Sequence, residues 1–369
     1  MTSKLYYSPL TNTSTSTGIA PSLISSTRYT TADIELASFD GASTTASLNP
    51  ARSIADEDGL DAPPYAARTA FVPTVQLQVQ TPGKPLLSLP LPPRPAPIPV
   101  FSVPEGSNGD NSPPVFVSVR PKRGSGSCFL IAGGGENEAA SRPVLSTTTY
   151  RFGPGKYPRV RLFSPHSRNA PVPGSDDSAT TATGGDEDPV GDAPSWDDFE
   201  VLPRGLLTRA CLFRTRLGTF EWRYAGRRER KASAPGADSL LVLDKVVRVF
   251  RARSGGGASS GRKASEEEAE EVRTPVARLV RGAETRSPGS SGSSAGNGGR
   301  LMVDLRLWAG ESGDGEGGGE GGGGEEEEDR EMGVVMVVTT CLVMLKKEVD
   351  RRRAQQIAVM AAAAGGGGS

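Results

Sequence analysis

The 369-residue chain contains few of the side chains on which enzymes and metal sites most often depend. It has one histidine, His166, and the surrounding LFSPHSRNA is rich in turn formers, so neither a paired-histidine metal site nor a rigidly held catalytic histidine is expected. The three cysteines, Cys128, Cys211 and Cys341, lie far apart without metal-ligand spacing. The sequence therefore predicts no enzyme activity, no cofactor and no metal, and reduced, mostly buried cysteines.

A long apolar run is also missing. The most hydrophobic stretch is uncharged only from Met332 to Leu345. As a helix these residues extend about 20 Å, against roughly 30 Å for the hydrocarbon core of a bilayer. The first residues, MTSKLYYSPLTNTSTSTG, contain no apolar segment typical of a secretory signal. We expect no transmembrane span and a cytoplasmic or nuclear location, with a membrane anchor formed by this stretch as the alternative.

The first 111 residues contain too few apolar side chains to form a core. TNTSTSTG and ADEDGLDAPP are polar, and PLLSLPLPPRPAPIPV (85–100) has the proline density of a polyproline helix. We predict that 1–111 is a disordered, Ser/Thr- and Pro-rich region. Its proline segment is interpreted as a stiff spacer or, alternatively, as a ligand of proline-binding domains.

Short apolar segments separated by turns begin near residue 112. In PRVRLF, Val160 and Leu162 alternate with arginines, and in GTFEWRYAG three aromatic residues alternate with polar ones. Other runs of this kind are VFVSV, CFLIA, TTTYRF, LLTRACLFRTRL, LLVLDKVVRVF, VARLV and LMVDLRLW. Many short strands with no early helical pattern predict a mainly β, antiparallel domain.

Low-complexity segments interrupt the strands, and a helix follows them. Four segments are predicted to be surface insertions of one domain: 174–194, 252–269, 283–299 and 310–329. The stretch after Glu331 is first apolar on all sides and then charged in KKEVDRRR, which predicts a helix over 332–356 whose first turns are buried. The Ala/Gly-rich residues 357–369 are predicted to be a disordered tail, so the domain spans 112–356.

Several of these segments together resemble a known superfamily. They are TTTYRFGPGKYPRVRLF, LFRTRLGTFEWRYAGRRERK, DSLLVLDK, VARLVRG and VVTTCLVMLKKEVDRRR. Residues 112–356 resemble the tubby C-terminal-like superfamily, which includes LURP-one-related proteins and phospholipid scramblases, and in particular its fungal members. The resemblance implies an antiparallel β-barrel of twelve strands around a hydrophobic C-terminal helix, and it transfers no set of phosphoinositide ligands to this chain.

Arginines on the strand faces opposite the core predict a basic surface. The candidate residues for binding an anionic partner are Arg159, Arg161, Arg214, Arg216 and Arg223 on strands, with Arg227 and Arg228 in the basic turn GRRERK. An anionic lipid surface or an acidic protein are the expected partners, whereas the core-facing aromatics disfavour nucleic acid. The alternative is that these arginines pair with acidic segments of the same chain.

These observations favour a non-enzymatic binding or scaffold protein. A peripheral membrane protein that binds anionic phospholipids through the basic face is the alternative function. Two RKAS sequences place basic residues ahead of Ser233 and Ser265, a pattern typical of substrates of basophilic kinases. Phosphate at Ser233 would add negative charge beside GRRERK, whereas at Ser265 it would join the acidic EEEAEE.

Overall fold

The computed structural model shows a β-barrel that surrounds a helix. It describes ten ranges of the chain: 70–91, 96–104, 113–121, 127–134, 142–151, 155–164, 195–205, 208–250, 269–308 and 323–365. The predicted disorder of 1–69, the insertion at 174–194, nearly all of the insertion at 252–269, His166 and Ser265 lie outside these ranges.

Thirteen strands form one antiparallel sheet within the described ranges, one more than the resemblance implies. Six come before the gap that starts at residue 165: β1 Val75–Val79, β2 Ile98–Ser102, β3 Phe116–Val119, β4 Cys128–Ala132, β5 Val144–Thr149 and β6 Arg159–Leu162. Seven come after it: β7 Asp197–Glu200, β8 Leu202–Pro203, β9 Cys211–Thr215, β10 Gly218–Tyr224, β11 Ala237–Phe250, β12 Ala269–Gly282 and β13 Gly299–Val303. The helices are α1, Arg227–Ser233, a 3-10 turn at Leu305–Leu307, and α2, Gly323–Gly365.

The order of the strands nearly closes the sheet into a barrel. The sheet runs β7-β6-β5-β4-β3-β2-β1-β13-β12-β11-β10-β9-β8, so its ends are β7 and β8, which only Val201 separates along the chain. Across this seam Asp197 accepts a hydrogen bond of 2.8 Å from the backbone N–H of Arg216, and the rings of Phe199 and Phe213 stack at 5.3 Å. The predicted mainly β, antiparallel barrel is confirmed.

The first half of α2 forms the centre of the core. Its side chains from Met332 to Leu345 are almost all buried together with the inward residues of the strands, including Val160, Leu162 and Phe220. Because a helix buried on every side needs apolar residues on every side, the unbroken run that resembled a membrane anchor is explained by the barrel around it.

The polar groups of this buried half find partners in the wall. Thr339 shares a hydrogen bond of 2.7 Å with Ser146 on β5, and the indole of Trp222 donates to Thr340 at 3.0 Å. Of the cysteines, which are all free, Cys211 and Cys341 are buried and Cys128 is half-buried, as predicted. Burial raises the pKa of Cys341 to about 12 and so keeps the thiol protonated.

The predicted start of the domain at residue 112 is wrong. Strand β1 pairs with β13 and with β2, so residues 75–79 and 98–102 of the supposed disordered region belong to the sheet. In VQLQV, Leu77 and Val79 point into the core, and this alternation is too short to stand out among polar neighbours. Part of the proline segment is therefore strand β2 rather than polyproline helix.

Helix α2 is longer than the predicted 332–356. At its N-terminus it includes 323–329 of the supposed insertion, where Arg330 pairs with Glu326 at 3.8 Å and with Glu327 at 3.7 Å. Carboxylates near the N-terminus stabilise a helix, because they interact favourably with the positive end of its dipole. At its C-terminus it continues through Ala361–Ala364, because alanine has the highest helix propensity, and the predicted tail starts too early.

The predicted insertion at 283–299 is a packed connection between β12 and β13. Ser287, Ser294 and Asn297 are buried, and Ser287 bonds to the backbone of β1 at Val79 at 3.2 Å. Gly296 has φ of +68°, and a Cβ there would lie 2.5 Å from the carbonyl oxygen of Leu345 in α2. The Gly and Ser content of this segment reflects close backbone approach rather than low complexity.

Two shorter segments also differ from the predicted pattern. LMVDLRLW is a strand only up to Val303, because Asp304 accepts a 3.2 Å hydrogen bond from the N–H of Arg306 and caps the 3-10 turn. GRRERK forms the first turns of α1 rather than a loop.

Candidate anion-binding cleft

A cleft of about 1040 Å³ opens at the end of the barrel where α2 emerges from the core. Its wall combines the connection before β9, the end of β10, helix α1, the start of β11, the 292–297 loop and α2 from Met344 to Gln355. Residues far apart in the sequence meet here because α2 passes through the barrel and brings its charged turns to the rim.

The floor of the cleft is a buried ion pair between the barrel and the helix. Arg281 on β12 donates to both carboxylate oxygens of Glu348 on α2, at 2.6 and 2.8 Å. Glu348 also accepts from the hydroxyl of Tyr224 and, at 2.7 Å, from the backbone N–H of Gly296. The remaining donors of Arg281 reach Ser239 at 2.7 and 3.1 Å and Asn297 at 3.2 Å.

This network sets the charge states of its members. Burial alone would raise the pKa of Glu348. The hydrogen bonds and positive charge of Arg281, together with the hydrogen bonds from Tyr224 and Gly296, instead hold this pKa below the ordinary 4.5. Burial raises the pKa of Tyr224, and the neighbouring carboxylate raises it further. The floor is therefore an internally satisfied pair that leaves little charge for a ligand.

The positive charge that faces the cleft comes from residues above this floor. Five cations line it and make no ion pair with any carboxylate of the described ranges: Arg209, Arg230, Lys347, Arg351 and Arg352. Besides Glu348, the one other carboxylate among the lining residues is Asp238, which lies 3.8 Å from Arg286. The cleft therefore carries a clear excess of positive charge.

Four of these cations are held by weak or neutral contacts that leave their charge available. Arg209 lies over the ring of Tyr224 at 5.5 Å, and Arg230 donates to the carbonyl of Asp238 at 2.6 Å. Lys347 donates to the sulfur of Cys211 at 3.0 Å, and Arg352 donates to the carbonyl of Ser293 at 3.3 Å. An anion with several oxygens can bridge such donors, because charge-assisted hydrogen bonds are the stronger ones.

Several predicted site residues are neutralised where they lie. On β6, Arg159 holds both oxygens of Asp198, and Arg161 reaches the same carboxylate at 3.2 Å. Arg223 donates to Glu229 at 2.6 and 2.8 Å and to buried Asp244 at 2.6 Å. Arg216 lies 3.2 Å from Asp329 and over the ring of Trp196.

The three other predicted arginines are exposed. Arg214 is on β9, and Arg227 and Arg228 begin α1; no ion pair joins them to a described carboxylate. They do not line the cleft. Ser233 is the last residue of α1 and is half-buried, in a helix rather than the open turn that the sequence suggested.

The cleft residues were missed because no local pattern connects them. KKEVDRRR suggested only charges that suit a helix C-terminus, yet the same residues carried a usable signal. If Gly333–Leu345 fills the barrel, the next turns must emerge from it, and Lys347 and Arg351 lie one turn apart on the same helix face. Arg209, Arg230 and Arg281 come from separate segments and required the strand order.

Comparison of the chain with known proteins identifies no relative. No protein-family model, no curated protein and no solved structure gives a significant match to the chain. Within the described ranges, no helix has the length and apolar character needed to cross a membrane.

Proposed function

We propose that this protein is a non-enzymatic binding protein whose barrel presents the cleft at the end of α2 to an anionic group, a phosphate or a carboxylate cluster. The observation that carries the proposal is the set of five unpaired cations around one concavity above an internally neutral floor. The membership of the tubby-like superfamily remains a proposal, supported by the barrel and its buried helix.

The architecture favours binding over catalysis. The acidic side chain deepest in the cleft, Glu348, accepts hydrogen bonds from Arg281, Tyr224 and Gly296, and these contacts fix it as an anion rather than leave it poised as a general base. The cations that lie above the fixed Arg281–Glu348 pair are suited to hold an anion by charge and hydrogen bonds.

The test compares two pairs of exposed arginines. The cleft variant Arg209→Ala/Arg351→Ala and the matched variant Arg214→Ala/Arg227→Ala remove the same charge, and the second pair belongs to the basic face predicted from the sequence. Inorganic tripolyphosphate is titrated calorimetrically into each variant and into the wild-type chain at two salt concentrations. We expect the cleft variant to bind about tenfold more weakly or worse, since a hydrogen bond to a charged group contributes roughly 1.5–3 kcal/mol.

The matched variant should bind as the wild type does, and added salt should weaken wild-type binding. Wild-type protein that does not bind tripolyphosphate would contradict the proposal. A larger loss of tripolyphosphate affinity in the Arg214→Ala/Arg227→Ala variant would instead place the binding site on the basic face predicted from the sequence.

A further inference from the structure

Beside the cleft, α2 ends in a segment without charge. After Arg351, Arg352 and Arg353 the sequence AQQIAVMAAAAG (354–365) contains no ionisable side chain, and the helix extends through it. Ile357, Val359 and Met360 are 51%, 69% and 52% exposed. Twelve helical residues extend about 18 Å, so the segment stands out from the barrel beyond a collar of three arginines.

A second exposed apolar element lies against the same part of the helix. The loop 85–91, PLLSLPL, carries Leu86, Leu87, Leu89 and Leu91, and Leu87 is 93% exposed. Leucines in this number at the surface of one short loop are unusual, because large apolar side chains normally lie inside. This leucine loop and the end of α2 together form one apolar surface next to the cleft.

The leucine loop is held in place through its backbone rather than its side chains. The ammonium of Lys84, which is buried, donates to the carbonyl of Leu89 at 2.7 Å. Gln356 donates to the carbonyl of Leu86 at 2.9 Å, and Arg353 donates to that of Pro90 at 3.2 Å. These bonds from the barrel and α2 satisfy backbone carbonyls internally while the leucines face outward.

This arrangement suits a medium that cannot supply hydrogen bonds. A loop whose carbonyls depended on water would lose those hydrogen bonds on entering lipid, whereas the carbonyls of Leu86, Leu89 and Pro90 already have donors. Apolar side chains beside arginines are typical of elements that lie at a membrane surface, with the aliphatic groups among acyl chains and the guanidinium groups among headgroups.

The charge beside the apolar surface selects the partner. The collar and the cleft add Arg351, Arg352, Arg353 and Lys347, whereas the nearby Glu348 and Asp350 are paired with Arg281 and Lys346. Basic residues near an anionic leaflet are attracted to its negative surface potential. A helix end of about 18 Å is shorter than the roughly 30 Å hydrocarbon core, so it contacts one leaflet.

We infer that the leucine loop and the uncharged end of α2 insert together into one leaflet of an anionic membrane, with the arginine collar and the cleft at the level of the headgroups. This rests on the proposed function, because the anion held in the cleft is then part of a lipid headgroup. A free phosphate compound would engage the cleft without the apolar surface.

The experiment measures co-sedimentation with two kinds of vesicle, phosphatidylcholine containing phosphatidylserine and phosphatidylcholine alone. The variant Leu87→Ser/Leu89→Ser is compared with Val247→Ser/Val249→Ser, which changes two exposed valines of β11 that do not line the cleft. We expect the leucine variant to bind anionic vesicles at least about tenfold more weakly, since burial of leucine side chains among acyl chains is favourable and burial of serine is not. The valine variant should bind as the wild type does.

A second readout reports insertion itself. In a Leu87→Trp protein, lipids brominated on their acyl chains should quench the added fluorescence, whereas headgroup contact alone should leave it unchanged. Tripolyphosphate titration of the leucine variant separates the two proposals, because its affinity should remain at the wild-type value.

Three results would overturn the inference while leaving the proposed function intact. The first is a wild-type protein that binds tripolyphosphate but not anionic vesicles, which would assign the apolar surface to a protein partner. The second is vesicle binding that the leucine changes do not weaken, and the third is the absence of quenching at position 87. A wild-type protein that binds neither tripolyphosphate nor anionic vesicles would contradict the proposed function itself.

Discussion

The two halves of α2 belong to one helix but have opposite surroundings. From Met332 to Leu345 nearly every side chain is buried in the barrel, whereas from Ala354 to Ala364 nearly every side chain is exposed. Between them, Glu348 joins the helix to the barrel through Arg281. The difference shows that one helix supplies the core of the fold with its first half and an exposed end with its second, while the turns between them form the wall of the cleft.

The largest expected effect comes from making the same substitution in each half. Val343 is 1% exposed and Val359 is 69% exposed. Val343→Asp should lower the free energy of unfolding by roughly 4 kcal/mol or more, because a charge without a partner would enter the core. Val359→Asp should change it by less than about 0.5 kcal/mol.

Urea unfolding followed by circular dichroism measures both variants. Comparable losses would show that the end of α2 is as buried as its centre, and the comparison between the halves would fail. Truncation before Glu331 should likewise give insoluble or unfolded protein, because it removes the centre of the core.

The next effect concerns the junction between the halves. Glu348→Gln leaves Arg281, which is 5% exposed, without a compensating charge. Removing one partner of a buried ion pair typically costs about 3–5 kcal/mol. The control is Asp350→Asn, whose carboxylate pairs with Lys346 nearer the surface and should contribute about 1 kcal/mol or less. Equal urea midpoints for the two variants would show that the junction does not hold the helix in the barrel.

A smaller effect of the same pair is its dependence on pH. The folded-state pKa of Glu348 lies below 4.5, so in acid the unfolded state binds more protons than the folded state. The stabilisation by Glu348 is therefore complete above about pH 4.5, the ordinary pKa of glutamate, and is lost as the pH falls through the folded-state pKa. Unfolding free energies measured from neutral pH into acid should fall less steeply for Glu348→Gln, and an unchanged slope would contradict the assigned charge state.

Much of the fold follows from local pattern, and the exceptions have physical causes. Alternation in PRVRLF and GTFEWRYAG indicated the strands correctly, and the apolar run at 333–345 indicated a buried helix. Glu221 shows the limit of alternation: it lies on the face opposite Trp222, yet Arg204 and Arg273 cover it and it is buried. The alternation of apolar and polar residues along a strand does not show which outward-facing positions the long side chains of arginines will cover.

The segments that were misassigned share one property. VQLQV and the Gly/Ser connection at 283–299 gain their structure from distant partners, β13 for the first and α2 for the second. Such partners do not affect local composition, so the sequence favoured disorder for the first segment and a low-complexity surface insertion for the second. Beyond the signal in KKEVDRRR, the cleft could not be predicted for the same reason, since Arg209, Arg281 and Glu348 meet only through the order of strands around the helix.

The smallest predicted effect is that of the two RKAS serines. Ser233→Glu places a carboxylate on α1, the helix that carries the cleft residue Arg230, and should weaken tripolyphosphate binding a few-fold. Ser265→Glu, in a segment already rich in glutamate, should leave binding nearly unchanged. Affinities measured at two salt concentrations test this, and equal effects of the two changes or an unaltered salt dependence for Ser233→Glu would count against it.

The most direct test of the central claim, that the turns of α2 emerging from the barrel build an anion site, is a structure determined with inorganic tripolyphosphate bound. The account predicts phosphate oxygens within hydrogen-bonding distance of at least two of Arg209, Lys347 and Arg351, above an intact Arg281–Glu348 pair. Phosphate bound instead at Arg214, Arg227 and Arg228, with the cleft empty under saturating ligand, would contradict it.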